Sequence, residues 1–293
     1  MKKEEMRNEP TRRAVLAGAL SPLATSAAAR TSKMKFGLTT YQWGIDWDVP
    51  TIIANCTKAK TFGVELREKS KYAHGVELET PAARRREVKK QFAGSPVKLI
   101  SIATGERFDA TDPAALKAAI EAAKGYAQLS HDVGASGIRV FPNDFHKEVP
   151  EEKTIAQIAA SLNEVGKFAA GLNQQVRLEN HGSAGRLVTL AKIFEQVTQP
   201  NVRVKLNSDV RDSEGGGFAK NFALVKDKLG YTLHCHDLND PVFPYQLQAG
   251  LLIDANWDGW WLLEETKKVP DRVVALIEQR QAWERFVANS LKR

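Results

Sequence analysis

The chain has 293 residues, 43% hydrophobic and 26% charged, an ordinary globular composition that can bury a full core in one large domain or two smaller ones. The formal net charge of +7 is inflated by residues 1–29, where five Lys/Arg stand against three Asp/Glu, so about +5 remains for the rest. These basic residues are scattered along helices. The one dense run, "ARRREVKK" at residues 83–90, reads as a solvated helix face, which argues against a nucleic-acid partner.

In chain order, the first segment, "MKKEEMRNEPTRRAVLAGALSPLATSAAA" (residues 1–29), has a charged beginning, a short apolar run and a small-residue ending. The run is too short to span a bilayer, so it predicts an export signal rather than a stable membrane anchor. Within it Thr11-Arg12-Arg13-Ala14-Val15-Leu16 resembles the twin-arginine motif, and cleavage after Ala27-Ala28-Ala29 suits the small-residue rule. The expected location is therefore periplasmic or secreted. Residues 30–34 read as a linker, and residues 35–293 as one domain.

From residue 35 one unit recurs: an apolar strand, a polar loop and an amphipathic helix. The strands are "KFGLTTYQW", "TFGVELRE", "VKLISIATG", "SGIRVFPN", "QVRLENHG", "VRVKLNSD", "YTLHCHDL" and "DGWWLLEE". The clearest helix, "DPAALKAAIEAAKGYAQLSHDVG", has Pro near its start, Ala and Leu at helical spacing and Gly at its end. The Pro-broken "PVFPYQLQAGLLID" carries the weakest helical pattern. Eight alternations predict a (β/α)8 TIM barrel, because parallel strands need helical crossovers and eight of them close the sheet. No G-x-G-x-x-G follows the first strand, as a doubly wound dinucleotide-binding sheet would require. Cys56 falls on the first helix and Cys235 on the seventh strand, which are not neighbours in this layout, so two buried free thiols are expected.

Catalytic groups of such barrels project from the C-terminal strand ends. Strand residues alternate faces, and the apolar partners sort them. Glu65 and Arg67, Arg139, then Arg177, Glu179 and His181 point inward. So do Lys205, Asn207 and Asp209, His234 and His236, and Trp260, Leu262 and Glu264. A carboxylate–imidazole–carboxylate set there suits a divalent metal, since unpaired buried carboxylates are costly. Glu65 is expected to form an ion pair with a barrel arginine. His74, His131 and His146 are expected at the surface. "SEGGGF", which lacks the Lys-Ser/Thr of a P-loop, reads as a flexible active-site loop. Trp43, Trp47, Trp257, Trp260 and Phe141 read as aromatics at or near the same rim.

The chain resembles the xylose-isomerase-like TIM barrels, the sugar phosphate isomerase/epimerase family. The resemblance rests on "GVELRE", "LENHG", "HCHDLND" and "DGWWLLEE" in that order, and covers essentially everything after the signal. It implies a divalent metal ion (Mn, Mg, Co or Zn) held by a Glu, an Asp, a His and a Glu of strands five to eight. These match Glu179, Asn207, His236 and Glu264, with Asp209 as a substitute. Asn207 is the departure, an amide where the family has a carboxylate, and Val210 stands where a His would be.

The resemblance further implies a sugar isomerase or epimerase that abstracts a proton next to a carbonyl. Glu179 and Glu264 would act as acid and base, and His181, His234, Lys205, Arg139 and Trp43 would hold the small carbohydrate substrate. A 3-keto-glycoside lyase uses the same chemistry. A non-catalytic carbohydrate-binding barrel with a degraded metal site would explain Asn207. A zinc-cluster phosphodiesterase of the same superfold needs more strand-end histidines than the six in this chain supply. The oligomeric state is left open by the sequence.

Overall fold

The structure, a computed structural model, describes residues 30–69 and 71–293. The export signal read at residues 1–29 lies outside the described residues. From Lys35 the chain runs β1 (Lys35–Thr39), α1 (Val49–Ala59), β2 (Gly63–Arg67), α2 (Ala82–Ala93), β3 (Lys98–Arg107), α3 (Pro113–Asp132), β4 (Gly137–Phe141) and α4 (Glu151–Ala170). It continues with β5 (Gln175–Glu179), α5 (Leu187–Gln196), β6 (Val202–Lys205), α6 (Phe218–Val225), β7 (Thr232–Cys235), α7 (Tyr245–Asp254), β8 (Trp260–Leu263) and α8 (Arg272–Leu291).

All ladders are parallel, in the order β6-β5-β4-β3-β2-β1-β8-β7. The remaining seam, between β6 and β7, is closed by two backbone bonds, from Gly230 N to Val204 O and from His234 N to Leu206 O. The result is the (β/α)8 barrel expected from the alternation.

Local chemistry sets where the helices begin. Asp48, Asp112 and Asp271 each accept bonds from backbone N–H groups of the first turn, and Pro50 and Pro113 sit where a missing N–H costs nothing. Helix α7 starts directly after Pro244, so the proline that weakened the helical pattern marks its beginning. The outward strand residues, among them Val64, Leu66, Ile138, Val140, Val176, Leu178, Val204, Leu233 and Trp261, are buried between sheet and helices. This layer holds the main core. Cys56 and Cys235 lie in it as separate, buried thiols.

The inside of the cylinder differs. Branched apolar residues usually fill it, but here Glu65, Arg139, Arg177, Lys205 and His234 are fully buried on the axis. Two readings of the rim need correction. Trp257 and Trp260 precede or begin β8 and therefore sit at the opposite, N-terminal mouth. There Gly63 leaves room for the Trp260 ring, which a Cβ would overlap. His74 is buried rather than at the surface, with its ring against Arg67 O and Val76 N. His131 is exposed and His146 half-buried, as the surface reading implied for the first of them.

Candidate active site

The axial charges form two layers. In the lower one, Glu65 of β2 accepts from Lys205 Nζ through both oxygens, at 2.6 and 2.8 Å. It also accepts from Thr39 Oγ1 at 3.1 Å and from His234 Nε2 at 2.5 Å. Lys205 Nζ lies 2.7 Å from the same imidazole nitrogen, so Glu65 is the acceptor that both share. Its partner is thus a lysine and a histidine, not the arginine expected. Burial would raise the Glu65 pKa, but Lys205 and His234 outweigh it and hold the carboxyl well below the usual range.

The upper layer lies one pleat nearer the C-terminal mouth. His234 Nδ1 is 3.1 Å from Glu179 Oε2 and 3.3 Å from Glu264 Oε2. Arg67 Nη1 binds Glu264 Oε1 at 2.5 Å and stacks its guanidinium over Tyr41. Arg139 Nε is 3.4 Å, and Lys205 Nζ 3.8 Å, from Glu179 Oε2. Burial opposes ionisation of both glutamates. Arg139 and then His234 outweigh it at Glu179, and His234, Arg139 and Arg67 outweigh it at Glu264, so both stay ionised at neutral pH. Burial and Lys205 oppose charge on His234, yet Glu179, Glu264 and Glu65 raise its pKa to about 10. A proton and a metal cation are therefore alternatives at Nδ1.

The donor set fits a cation. Glu179, His234 and Glu264 each present a ligand atom within 4.8 Å of the others. Glu179 Oε2, His234 Nδ1 and Asn207 Oδ1 are all buried and make no hydrogen bond, although the first two lie within ion-pair distance of each other. Behind them Glu65 accepts from Nε2, the carboxylate–imidazole arrangement that orients a ligating histidine.

The residues expected from sequence divide accordingly. Glu179 and Glu264 are brought together, and Asn207 stands just past β6 with its amide oxygen free. His236 is not in this group. It lies beyond the end of β7, its Nδ1 donating to Glu264 O at 2.8 Å and its Nε2 3.2 Å from Asn207 O, so backbone carbonyls engage both ring nitrogens. It faces a hollow of about 250 Å³ lined also by Ser208, Asp237, Phe243 and Glu265. His234 instead offers its Nδ1 beside the two glutamates. Asp209 is turned away, capping the turn that follows and paired with Arg211. Lys205 is fully buried in the lower layer, where its ammonium binds both oxygens of Glu65.

His181 is exposed, its Nδ1 3.1 Å from Asn143 Oδ1 and its ring 4.5 Å from that of Phe141. Gly182 fixes the turn after it, with φ at 71° and no room for a Cβ against Asn143 O. Trp43 is buried with its Nε1 donating to Lys267 O, on the wall of a hollow of about 690 Å³ between the β1–α1 and β8–α8 loops. The Gly215–Gly217 run has three consecutive positive φ values before α6.

The family profile described as the xylose isomerase-like TIM barrel matches residues 56–285. The chain belongs to that family. Among solved structures, this xylose isomerase-like chain is similar to an L-ribulose 3-epimerase at a TM-score of 0.73 and 13% identity, over 88% of this chain and 95% of that one. A 3-keto-D-glucoside 4-epimerase from E. coli matches at 0.69 and 13%, over 87% and 100%. A D-psicose 3-epimerase from Clostridium cellulolyticum H10 matches at 0.67 and 17%, over 88% and 97%. No curated protein sequence matches. At these identities the shared feature is the fold.

Sequence parity put both His234 and His236 on the axis but could not say which is deeper. The ladder that aligns His234 with Leu262 supplies that depth. Glu264, one pleat above Leu262, folds its side chain back toward His234.

Proposed function

We propose that this protein is a sugar isomerase or epimerase that moves a proton on a carbon next to a carbonyl. The observation that carries the reading is the pair of buried, ionised carboxylates, Glu179 and Glu264, facing each other across His234. Two carboxylates on opposite sides of one carbon suit removal of a proton from one face and return to the other. The epimerase titles of the structural neighbours support the same class.

Glu179, His234 and Glu264 would hold a divalent cation, with Asn207 Oδ1 as a neutral fourth donor. Such an ion polarises a carbonyl and stabilises negative charge on its oxygen. Glu65 fixes the His234 ring, and Arg67 fixes the Glu264 carboxylate against Tyr41. His181 and Phe141 at the rim offer a hydrogen-bonding group and an aromatic face to a sugar. Export, proposed on the twin-arginine pattern, favours an unphosphorylated or oxidised sugar. Among the described residues no helix is long and apolar enough to cross a membrane.

The test is deuterium incorporation from D2O, followed by NMR, into L-ribulose, D-psicose, D-tagatose, D-fructose and a 3-keto-D-glucoside, with and without Mn2+. Exchange at a carbon beside the carbonyl supports the reading. A complete lack of exchange across the panel overturns it. Release of aglycone from the 3-keto-glucoside would mark a lyase of the same chemistry.

A further inference from the structure

Arg139 is fully buried, yet none of its three guanidinium nitrogens has a hydrogen-bond partner. An enclosed guanidinium with every N–H unmet is costly, and such groups are normally satisfied by a partner. Its direction is fixed. The β4–β5 register aligns Arg139 with Arg177, whereas its Nε reaches Glu179, one pleat higher, and its Cζ lies 3.9 Å over the ring of Phe141. The head therefore leans toward the C-terminal mouth, with one face covered by Phe141, its Nε toward Glu179, and Nη1 and Nη2 without a hydrogen-bond partner.

The charge count points the same way. The carboxylates Glu65, Glu179 and Glu264 are already matched by Lys205, Arg139 and Arg67. A divalent ion at Glu179, His234 and Glu264 would leave this interior positive, and an anionic ligand offsets part of that excess charge. A carboxylate accepts two parallel N–H bonds from a guanidinium edge, which a lone hydroxyl cannot.

We infer that the ligand of this barrel is a sugar acid, whose carboxylate is held by the guanidinium of Arg139 beside Phe141. The inference rests on the isomerase reading for the sugar, while the anion site rests on Arg139 alone.

Calorimetric titration of the full chain in Mn2+ compares D-fructuronate, D-fructose and D-fructose 6-phosphate as probes. The expected result is D-fructuronate bound at least about tenfold more tightly than D-fructose, with that ratio falling to near one in Arg139→Gln. Arg139→Lys keeps the charge but loses the fork, so its ratio should fall between the two. It carries the decision if circular dichroism shows Arg139→Gln unfolded. Equal affinity for acid and neutral sugar, a preference that survives both substitutions, no uronate binding, or tighter binding of the phosphate would each overturn the inference. The two readings fail separately. Solvent exchange into neutral ketoses unaffected by Arg139→Gln would leave an epimerase without an acid site. Arg139-dependent uronate binding without exchange into any sugar, D-fructuronate included, would leave an anion site without an epimerase.

Discussion

The two charged layers on the barrel axis are built from the same residue types and behave oppositely. In the lower layer, Glu65 has a donor on every side, from Thr39, Lys205 and His234. In the upper layer, Glu179 Oε2, His234 Nδ1, Asn207 Oδ1 and all of the Arg139 guanidinium lack hydrogen-bond partners although they are buried. His234 belongs to both, closed at Nε2 and open at Nδ1. A satisfied buried network fixes geometry, whereas an unsatisfied one is kept because something else completes it. Burial alone would have ranked the two layers together. Bond accounting separates the scaffold from the site.

That contrast breaks most readily at Glu179. Replacing it with Gln keeps the shape and removes the proposed base, so turnover of a substrate found by solvent exchange should fall by roughly 10²–10⁴-fold, with the melting temperature nearly unchanged. A loss of stability equal to that of a lower-layer variant would show that Glu179 is structural. The lower layer should respond in the reverse way. Lys205→Met strips Glu65 of the cation that binds both its oxygens, and breaking a buried pair costs about 3–5 kcal/mol. Pairing it with Glu65→Gln should recover much of that loss in denaturant melts. Without recovery, the Lys205–Glu65 bond would not be the reason for the damage.

Asn207 sharpens the comparison from the ligand side. Its free Oδ1 sits where a carboxylate would add one negative charge, and charge count is a main control of cation affinity. Asn207→Asp should tighten Mn2+ binding by roughly tenfold or more, read by calorimetry. Unchanged affinity would place residue 207 outside the coordination shell. Metal acquired by the variant and absent from the native chain would mean a native site already weakened, as in a binding barrel.

Most of the fold was legible because period-two strands and capped helices are local signals. Each of Asp48, Asp112 and Asp271 caps where its pattern begins. The site was legible by face but not by depth. Glu179 and Glu264 follow from parity, while choosing His234 over His236 needs the β7–β8 register, a non-local quantity. The family motif, read residue by residue, pointed to His236. Trp260 shows the same gap in reverse. Parity aimed it inward correctly, but strand direction put it at the far mouth from the chemistry. The Lys205–Glu65 pair joins residues 140 positions apart and left no trace in either local sequence.

The smallest effect should come from the brace behind the upper layer. Asn180 accepts from Asn207 N through its Oδ1 and donates to Asp212 Oδ2 at 2.8 Å, so Asp212 anchors the strand ends without touching the ligand-facing atoms. Burial first, then the charge of Asp209, push the Asp212 carboxyl up to about 8. The unfolded chain loses this proton near pH 4, whereas the folded chain keeps it to about pH 8. Between those values the folded state binds more protons, so its stability falls as pH rises, and the contribution is gone above the folded value. Asp212→Asn keeps the acceptor for Asn180 and has no proton to lose. It should match the native chain near pH 4 and gain on it steadily toward pH 8.5, read as a difference in melting temperature that widens with pH. Turnover should not change. A stability gain independent of pH would mean that the carboxyl does not titrate in this window. A change in turnover would mean that the brace tunes the site rather than merely holding it.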